Sequence, residues 1–434
     1  MKIAFKLAYE GKEYDYLSDN TKDCAPDTLF VETPRNGEFA KELGAQGVSV
    51  LHYSELKGYF TFPPKIIGIT GTNGKTTTAN LIYSTLLRLG YSCAMLGTQG
   101  LYHNGEQLRK KGLTTPTILE LYENLDLLAA RGCEMLVMEV SSHAIEQQRI
   151  YGLEFCAKVL TNITSDHLDY HGDIETYRAI KNSFLEDSAP KVINLDEPNA
   201  RFNPKNSLLY SISEAANLRV ESYSLERGIC AELSYEGTHY RLESKLYGLH
   251  NLYNILAALG CLRLVSGLDM GVLVENIREF GGVSGRMEVV SDEPLVIVDF
   301  AHTHDGMEKI FESFVGREVA VVFGAGGDRD RSKRPLMGSV AEKYAKRIFL
   351  TSDNPRSEEP MGIMQDILAG IEQREKVIIE VDRKRAIHRA IDSLPVGGVL
   401  LILGKGDETS QIFKDRVVEF DDREVVREYL GERK

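Results

Sequence analysis

Short apolar runs alternate with longer segments of helical periodicity over most of the chain. Residues 65–70 form an apolar run that ends in a Gly-rich segment, after which Ala79, Ile82, Leu86 and Leu89 recur at helical spacing. That pattern predicts a strand, a tight turn and a helix. Stretches 135–140 and 158–161 read as buried strands, 220–247 alternates as a small antiparallel patch would, and 252–264 is helical in pattern. Beyond Gly281-Gly282-Val283-Ser284-Gly285, a predicted hinge, strands are expected at 295–300, 319–323, 347–351, 377–381 and 398–403 with helices between them. Strands that alternate with helices predict parallel sheets covered on both faces.

The fold class expected is therefore α/β with three domains. Residues 1–63 form a small N-terminal α/β domain, ending at the Pro63-Pro64 linker; 64–285 form a central parallel-sheet domain, and 286–434 a Rossmann-like parallel-sheet domain.

Composition narrows the functional classes. With 43% hydrophobic and 26% charged residues the chain is an ordinary globular protein, and no apolar run approaches the 18 residues of a membrane span. The net charge of -13 argues against non-specific binding to nucleic acid and against stable association with an anionic membrane. Six scattered cysteines without a CxxC pair suit a reducing compartment, and the first residues lack the form of a leader, so a cytoplasmic location is expected.

Within this acidic chain an anionic ligand has to be held locally, and one segment has the chemistry for it. In Thr70-Gly71-Thr72-Asn73-Gly74-Lys75-Thr76-Thr77, placed between strand and helix, glycines let backbone N–H groups turn toward phosphate oxygens. Lys75 supplies a point charge, and Thr76 offers a hydroxyl to Mg²⁺. Ile69 stands where the usual P-loop has its first glycine. Glu139, at the end of a strand in the same region, is a metal-side carboxylate or a solvated strand-end residue. Lys181 falls inside the apolar stripe of the 174–185 helix, where a lysine has to snorkel, pair or change its charge.

Four expected strands of the last region run directly into polar clusters: Asp299-Phe300-Ala301-His302, 324–330, Asp353-Asn354-Pro355-Arg356 and Gly404-Lys405-Gly406-Asp407-Glu408. Each suits a turn on its own. Strand ends of an open α/β sheet share one edge, so together they predict a binding crevice.

These strings, with Thr114-Thr115-Pro116, Met138 to Ala144, Asp166 to Gly172, Asn251 to Asn254 and Gly285 to Glu288, resemble the Mur ligase family from Lys65 to Glu408. The resemblance implies an ATP- and Mg²⁺-dependent amide-forming ligase of peptidoglycan precursor synthesis. It would join meso-2,6-diaminopimelate to UDP-N-acetylmuramoyl-L-alanyl-D-glutamate through an acyl phosphate, working as a monomer; the alternatives are a lysine-adding member or a folylpolyglutamate synthase-like ligase.

It implies that Gly71 to Thr77 with Asn254, Arg286 and Asp299 bind ATP. Thr76, Glu139, His167 and a carbamylated Lys181 would serve the metal. Thr21, Thr114, Thr115, Ser141, Gln147 and Arg149 would grip the UDP-linked dipeptide, and Arg329, Asn354, Arg356, Gly404 and Glu408 the diaminopimelate, with Lys75, Lys181 and His302 in catalytic roles. Arg356 is the residue that lysine-adding members lack. Asp407, Phe300 and His304 depart from the family pattern, and Asn20-Thr21-Lys22 replaces its Asp-Ser-Arg.

Overall fold

A computed structural model describes residues 1–63, 65–164 and 168–431, the side chains of Leu168 and Asp169 excepted. The chain divides into two compact units: Met1–Ser224 with Cys230–Ser244 and His250–Phe280, and Leu225–Ile229 with Lys245–Leu249 and Gly281–Lys434. The expected boundary near residue 63 falls inside the first unit.

That unit carries two sheets. Lys2–Tyr9 and Lys12–Ser18 make an antiparallel hairpin, to which Thr28–Glu32 and then Val50–His52 add in parallel. Leu17, Leu29, Val31 and Leu51 pack against Ile118, Leu119 and Tyr122 of the Ile118–Ala130 helix, so this small sheet shares its core with the next layer.

In the second sheet seven neighbouring strands run parallel: Leu218–Ser224, Ser207–Ser211, Lys191–Asn194, Ala157–Leu160, Lys65–Thr70, Met135–Glu139 and Cys93–Gly97. The central ones are mostly apolar and, Lys65 excepted, buried, as suits strands covered on both faces. A hairpin, Gly100–His103 with Glu106–Arg109, continues one side antiparallel; Ile229–Tyr235, antiparallel to Leu218–Ser224, and Thr238–Ser244 continue the other. Lys65–Thr70 lies between Ala157–Leu160 and Met135–Glu139, so the carboxyl ends of these three strands open side by side.

The second unit is built on six strands in the order Glu288–Asp292, Leu295–Asp299, Val399–Leu403, Val319–Phe323, Arg347–Leu350 and Val377–Ile379. The last five are parallel, and the edge strand Glu288–Asp292 is antiparallel to its neighbour. Side chains alternate between faces with period two. Ile297, Val321 and Leu401 meet Met307, Phe311 and Met364 on one face, while Val298, Val322 and Ile402 meet Ile387, Ala390 and Val426 on the other. The expected α/β class with parallel sheets is thus present, and no helix among the described residues is long and apolar enough to cross a membrane.

Candidate active site

The Gly-rich segment joins the Lys65–Thr70 strand to the Lys75–Arg88 helix. Gly74 caps the helix at φ +84, a left-handed conformation that glycine adopts without penalty, and a Cβ there would lie 2.2 Å from the Asn254 amide oxygen. The loop is clamped from the adjacent strand end. Thr161 Oγ1 and Asn162 Nδ2 donate to the Asn73 carbonyl at 2.6 and 3.1 Å, and the Asn73 and Thr72 amides donate to Asn162 Oδ1 and the Asn162 carbonyl at 3.0 and 2.8 Å. A fixed loop at a helix N-terminus, with the partial positive charge of the helix behind it, is preorganised for phosphate.

Two lysines converge on this loop. Lys75 Nζ donates to the carbonyls of Gly71 and Thr72 at 2.7 and 2.9 Å, and Lys181 Nζ donates to the same Gly71 carbonyl at 3.0 Å. Lys181 is buried in the Ile174–Ser183 helix, with its nitrogen 5.0 Å from the centre of the Tyr177 ring. The Tyr177 hydroxyl is 2.9 Å from Thr72 Oγ1, tying that helix to the loop.

Glu139, also buried, ends the neighbouring strand and accepts from Thr76 Oγ1 at 3.0 Å and from the Thr98 amide at 2.9 Å. Gly97 admits it, because a Cβ there would stand 2.1 Å from the carboxylate.

Beyond Glu139 lies a polar wall. Thr115 Oγ1 donates to the Glu139 carbonyl at 2.9 Å and accepts from the Ser141 amide at 3.0 Å, while Thr114 and Thr98 hydroxyls stand 3.2 Å apart. Ser141 caps the Ser142–Glu146 helix. Arg149 donates to the Thr115 carbonyl at 2.6 Å and, through Nε and Nη2, to Gln147 Oε1 at 3.0 and 2.7 Å. Burial, reinforced by Arg35, holds the Arg149 guanidinium below its ordinary pKa.

In the second unit, strand ends bring four segments to one edge. Asp299 is buried and accepts from the amides of Met287 and Ala301, each at 2.7 Å; burial pushes its carboxyl up, opposed by Arg286 and these two amides. Arg286 lies over the Phe300 ring at 4.6 Å, and exposed His302 has Nδ1 3.0 Å from the Phe300 carbonyl.

Asn354 Nδ2 donates to Glu408 Oε2 at 2.8 Å. Arg356 donates through Nη1 to the Gly327 carbonyl at 2.6 Å and holds φ +51, a left-handed conformation uncommon for a residue with a side chain. Gly404, at φ +112, leaves room for Asp353, whose Oδ2 would lie 2.5 Å from an added Cβ. Arg329 is exposed.

The Mur ligase middle-domain family model matches residues 69–262, and the model of the Mur ligase glutamate-ligase domain matches 285–406. UDP-N-acetylmuramoyl-L-alanyl-D-glutamate--2,6-diaminopimelate ligase of Helicobacter pylori is 50% identical over 99% of this chain and 98% of its own. The chain belongs to the Mur ligase family. A solved structure of UDP-N-acetylmuramoyl-L-alanyl-D-glutamate--2,6-diaminopimelate ligase matches this Mur ligase with a TM-score of 0.71 at 30% identity, covering 96% of this chain and 94% of that one. Mycobacterium tuberculosis folylpolyglutamate synthase, solved with ADP and AMPPCP, matches at TM-score 0.62 and 18% identity over 81% of this chain and 91% of that one, a likeness of fold.

In this Mur ligase the structure brings Gly71 to Thr76, Glu139, Lys181 and Asn254 together, and Thr114, Thr115, Ser141, Gln147 and Arg149 form one bonded wall. Thr77 lies on the helix after the loop, and Thr21 is exposed in the Thr21–Asp23 turn, with no hydrogen bond to that wall. His167 lies outside the described residues, among which no three His, Cys, Asp or Glu side chains form a metal-binding group.

Sequence reasoning passed over Thr161, Asn162, Thr98 and Lys405. Thr161 and Asn162 directly follow the 157–160 strand, so the strand-end rule applied to the last region would have found them. Lys405 lies in the Gly404-Lys405-Gly406-Asp407-Glu408 cluster, where nothing in its spacing marks it as buried.

Proposed function

We propose that this chain is the ATP-dependent ligase that joins meso-2,6-diaminopimelate to UDP-N-acetylmuramoyl-L-alanyl-D-glutamate. The observation that carries the reading is at the strand ends of the second unit, where a guanidinium, Arg356, and a carboxylate, Glu408, are fixed on neighbouring loops. Diaminopimelate presents a carboxylate and an ammonium at its far end and satisfies both; lysine has only the ammonium and leaves Arg356 without a counter-charge. Arg329, Asn354 and the Gly404 backbone complete that pocket.

The D-glutamyl carboxylate attacks the γ-phosphorus of ATP in line, giving an acyl phosphate and ADP. Carboxylate and triphosphate repel each other, so the protein has to supply positive charge where the negative charge gathers. Lys75 and the N–H groups of Gly74 to Thr76 at the helix start do so at the phosphates, on the loop that Asn162 fixes through the Thr72 and Asn73 amides, while Thr114, Thr115, Ser141, Gln147 and Arg149 orient the dipeptide. Asn254, whose amide oxygen leaves no room for a Cβ at Gly74, backs the loop, and Arg286 and Asp299 are the nucleotide-binding residues proposed of the second unit.

Thr76 and Glu139 offer hydroxyl and carboxylate oxygens 3.0 Å apart, hard donors of the kind that fit magnesium, with His167 and Lys181 as further partners. When bound, the ion neutralises phosphate charge. Lys181 serves as its carbamate: a second ammonium beside Lys75 on one carbonyl is repelled by it, whereas an anion there is offset by the Lys75 charge.

The amine of diaminopimelate then attacks the acyl carbon and expels phosphate. His302 suits proton acceptance, because an Nδ1–H donated to the Phe300 carbonyl leaves Nε2 as the acceptor. One polypeptide supplies all of these groups, consistent with a monomer, and six free thiols suit the cytoplasm. The test is to incubate the protein with ATP, Mg²⁺, the UDP-linked dipeptide and either diaminopimelate or lysine, and to weigh the product. A diaminopimelate adduct is expected; a lysine adduct in its place overturns the reading.

A further inference from the structure

Lys405 is a fully buried lysine at the end of the Val399–Leu403 strand. Its ammonium has three hydrogens and three acceptors: the Ser410 carbonyl at 2.6 Å, Glu408 Oε2 at 3.1 Å and Asn354 Oδ1 at 3.3 Å. Asn354 closes the ring by donating to the same Glu408 Oε2 at 2.8 Å, and its Oδ1 also accepts from the Ile412 amide at 2.9 Å. Both donors therefore fall on one oxygen of Glu408, whose side chain remains one-third exposed.

We infer that Lys405 is a positioning residue that sets the affinity of the enzyme for its incoming amino acid by locking Oε2 of Glu408, so that Oε1 alone faces the distal ammonium. The inference rests on the diaminopimelate reading above and adds the device that aims its carboxylate. A carboxylate pinned at one oxygen cannot rotate to meet a misplaced ammonium, so the pocket rewards only a ligand whose ammonium and carboxylate are spaced to reach Glu408 and Arg356 together. Burying an ammonium is costly unless every proton is bonded, and here every proton is. The charge of Lys405 is spent inside the protein on alignment.

The test is steady-state ligation at saturating ATP and UDP-linked dipeptide with diaminopimelate varied, for the wild type, Lys405→Met, Glu408→Gln and the double variant, each checked for an intact thermal transition. Lys405→Met is expected to raise KM for diaminopimelate about ten- to a hundredfold while KM for ATP stays put. The double variant is expected to be no worse than the worse single one, because Lys405 acts through Glu408. An unchanged KM for diaminopimelate in Lys405→Met, or single effects that multiply in the double variant, overturns the inference.

Lys405→Gln, which keeps two N–H donors and drops the charge, takes the place of the Met variant in the same cycle if that protein does not fold. A wild type that ligates no diaminopimelate overturns the functional reading first, and with it the role given to Lys405.

Discussion

The phosphate cradle of the first unit and the amino-acid edge of the second solve opposite electrostatic problems. In the cradle two lysines aim at one carbonyl, Gly71, and the Asn73 carbonyl and amide beside it are held by Thr161 and Asn162. In the second unit the buried cations are bonded to carboxylates: Lys405 to Glu408, Arg383 to Asp422 through two bonds of 2.8 Å, and Arg334 to Glu358 and Asp366. On the proposed reading the first region gathers positive charge to meet a triphosphate. The second neutralises its charge internally and discriminates by geometry. Loss of charge should therefore hurt the cradle most, and loss of shape the edge.

The largest effect is expected at Lys75. Lys75→Ala removes the charge that offsets repulsion between carboxylate and γ-phosphate, and ADP release should fall by about a thousandfold or more. A coupled assay of ADP formation reads it, and a normal rate removes the cradle from the mechanism. Next comes Lys181→Ala, expected to be inactive and partly restored by a short carboxylic acid that replaces the missing carbamate. Full activity without additive dismisses the carbamate.

The same contrast explains what was legible in the sequence. The cradle is local: one strand, one turn and one helix in a continuous string, with Lys75 and Thr76 at fixed offsets from the helix start, so Gly71 to Thr76 could be read directly. The edge is non-local, because Asp299, Arg329, Asn354 and Glu408 sit on four different loops; only the rule that parallel strands end on one side joined them. What stayed hidden depended on side-chain direction. Asn162 clamps the loop across two strands, and Lys405 turns inward, although both stand in ordinary turn-forming surroundings. The Glu288–Asp292 edge strand was missed because its residues are half-exposed and show no clean alternation. The hairpin 100–109 escaped for a similar reason: its second strand, Glu-Gln-Leu-Arg, is mostly polar.

Arg356→Ala tests the geometric side of the contrast. Its guanidinium is anchored by one nitrogen on the Gly327 carbonyl, and its backbone is held at φ +51, so the side chain is aimed from both ends. Truncation should cost about 2–4 kcal/mol in diaminopimelate recognition by stranding the ligand's distal carboxylate. Arg356→Lys should recover little of it, because a point charge cannot reproduce the planar fork. Competition between diaminopimelate and lysine for the dipeptide reads both, and unchanged selectivity counts against the assignment.

The smallest effect is expected where the edge is braced from behind. Arg334, fully buried, donates to both oxygens of Glu358 at 2.8 and 2.9 Å, and Glu358 also accepts from the Asp328 amide at 2.7 Å, fixing the loop that carries Arg329. The Arg334 bonds, opposed by desolvation and aided by the Asp328 amide, hold the Glu358 carboxyl down at about 2. In the unfolded chain a glutamate titrates near about 4.3. A carboxyl lowered on folding stabilises the protein fully above its unfolded value and ceases to do so as the pH falls through its folded value. Glu358→Gln should therefore lower stability by about 1–3 kcal/mol at neutral pH. The gap from wild type should close between about pH 4.3 and pH 2. Asp366 shares Arg334 with Glu358 and is lowered in the same direction by Arg331 and Arg334, so the difference between two urea titrations reads the Arg334 brace as a unit. A gap that stays constant down to pH 2 means the brace acts through packing and not through charge.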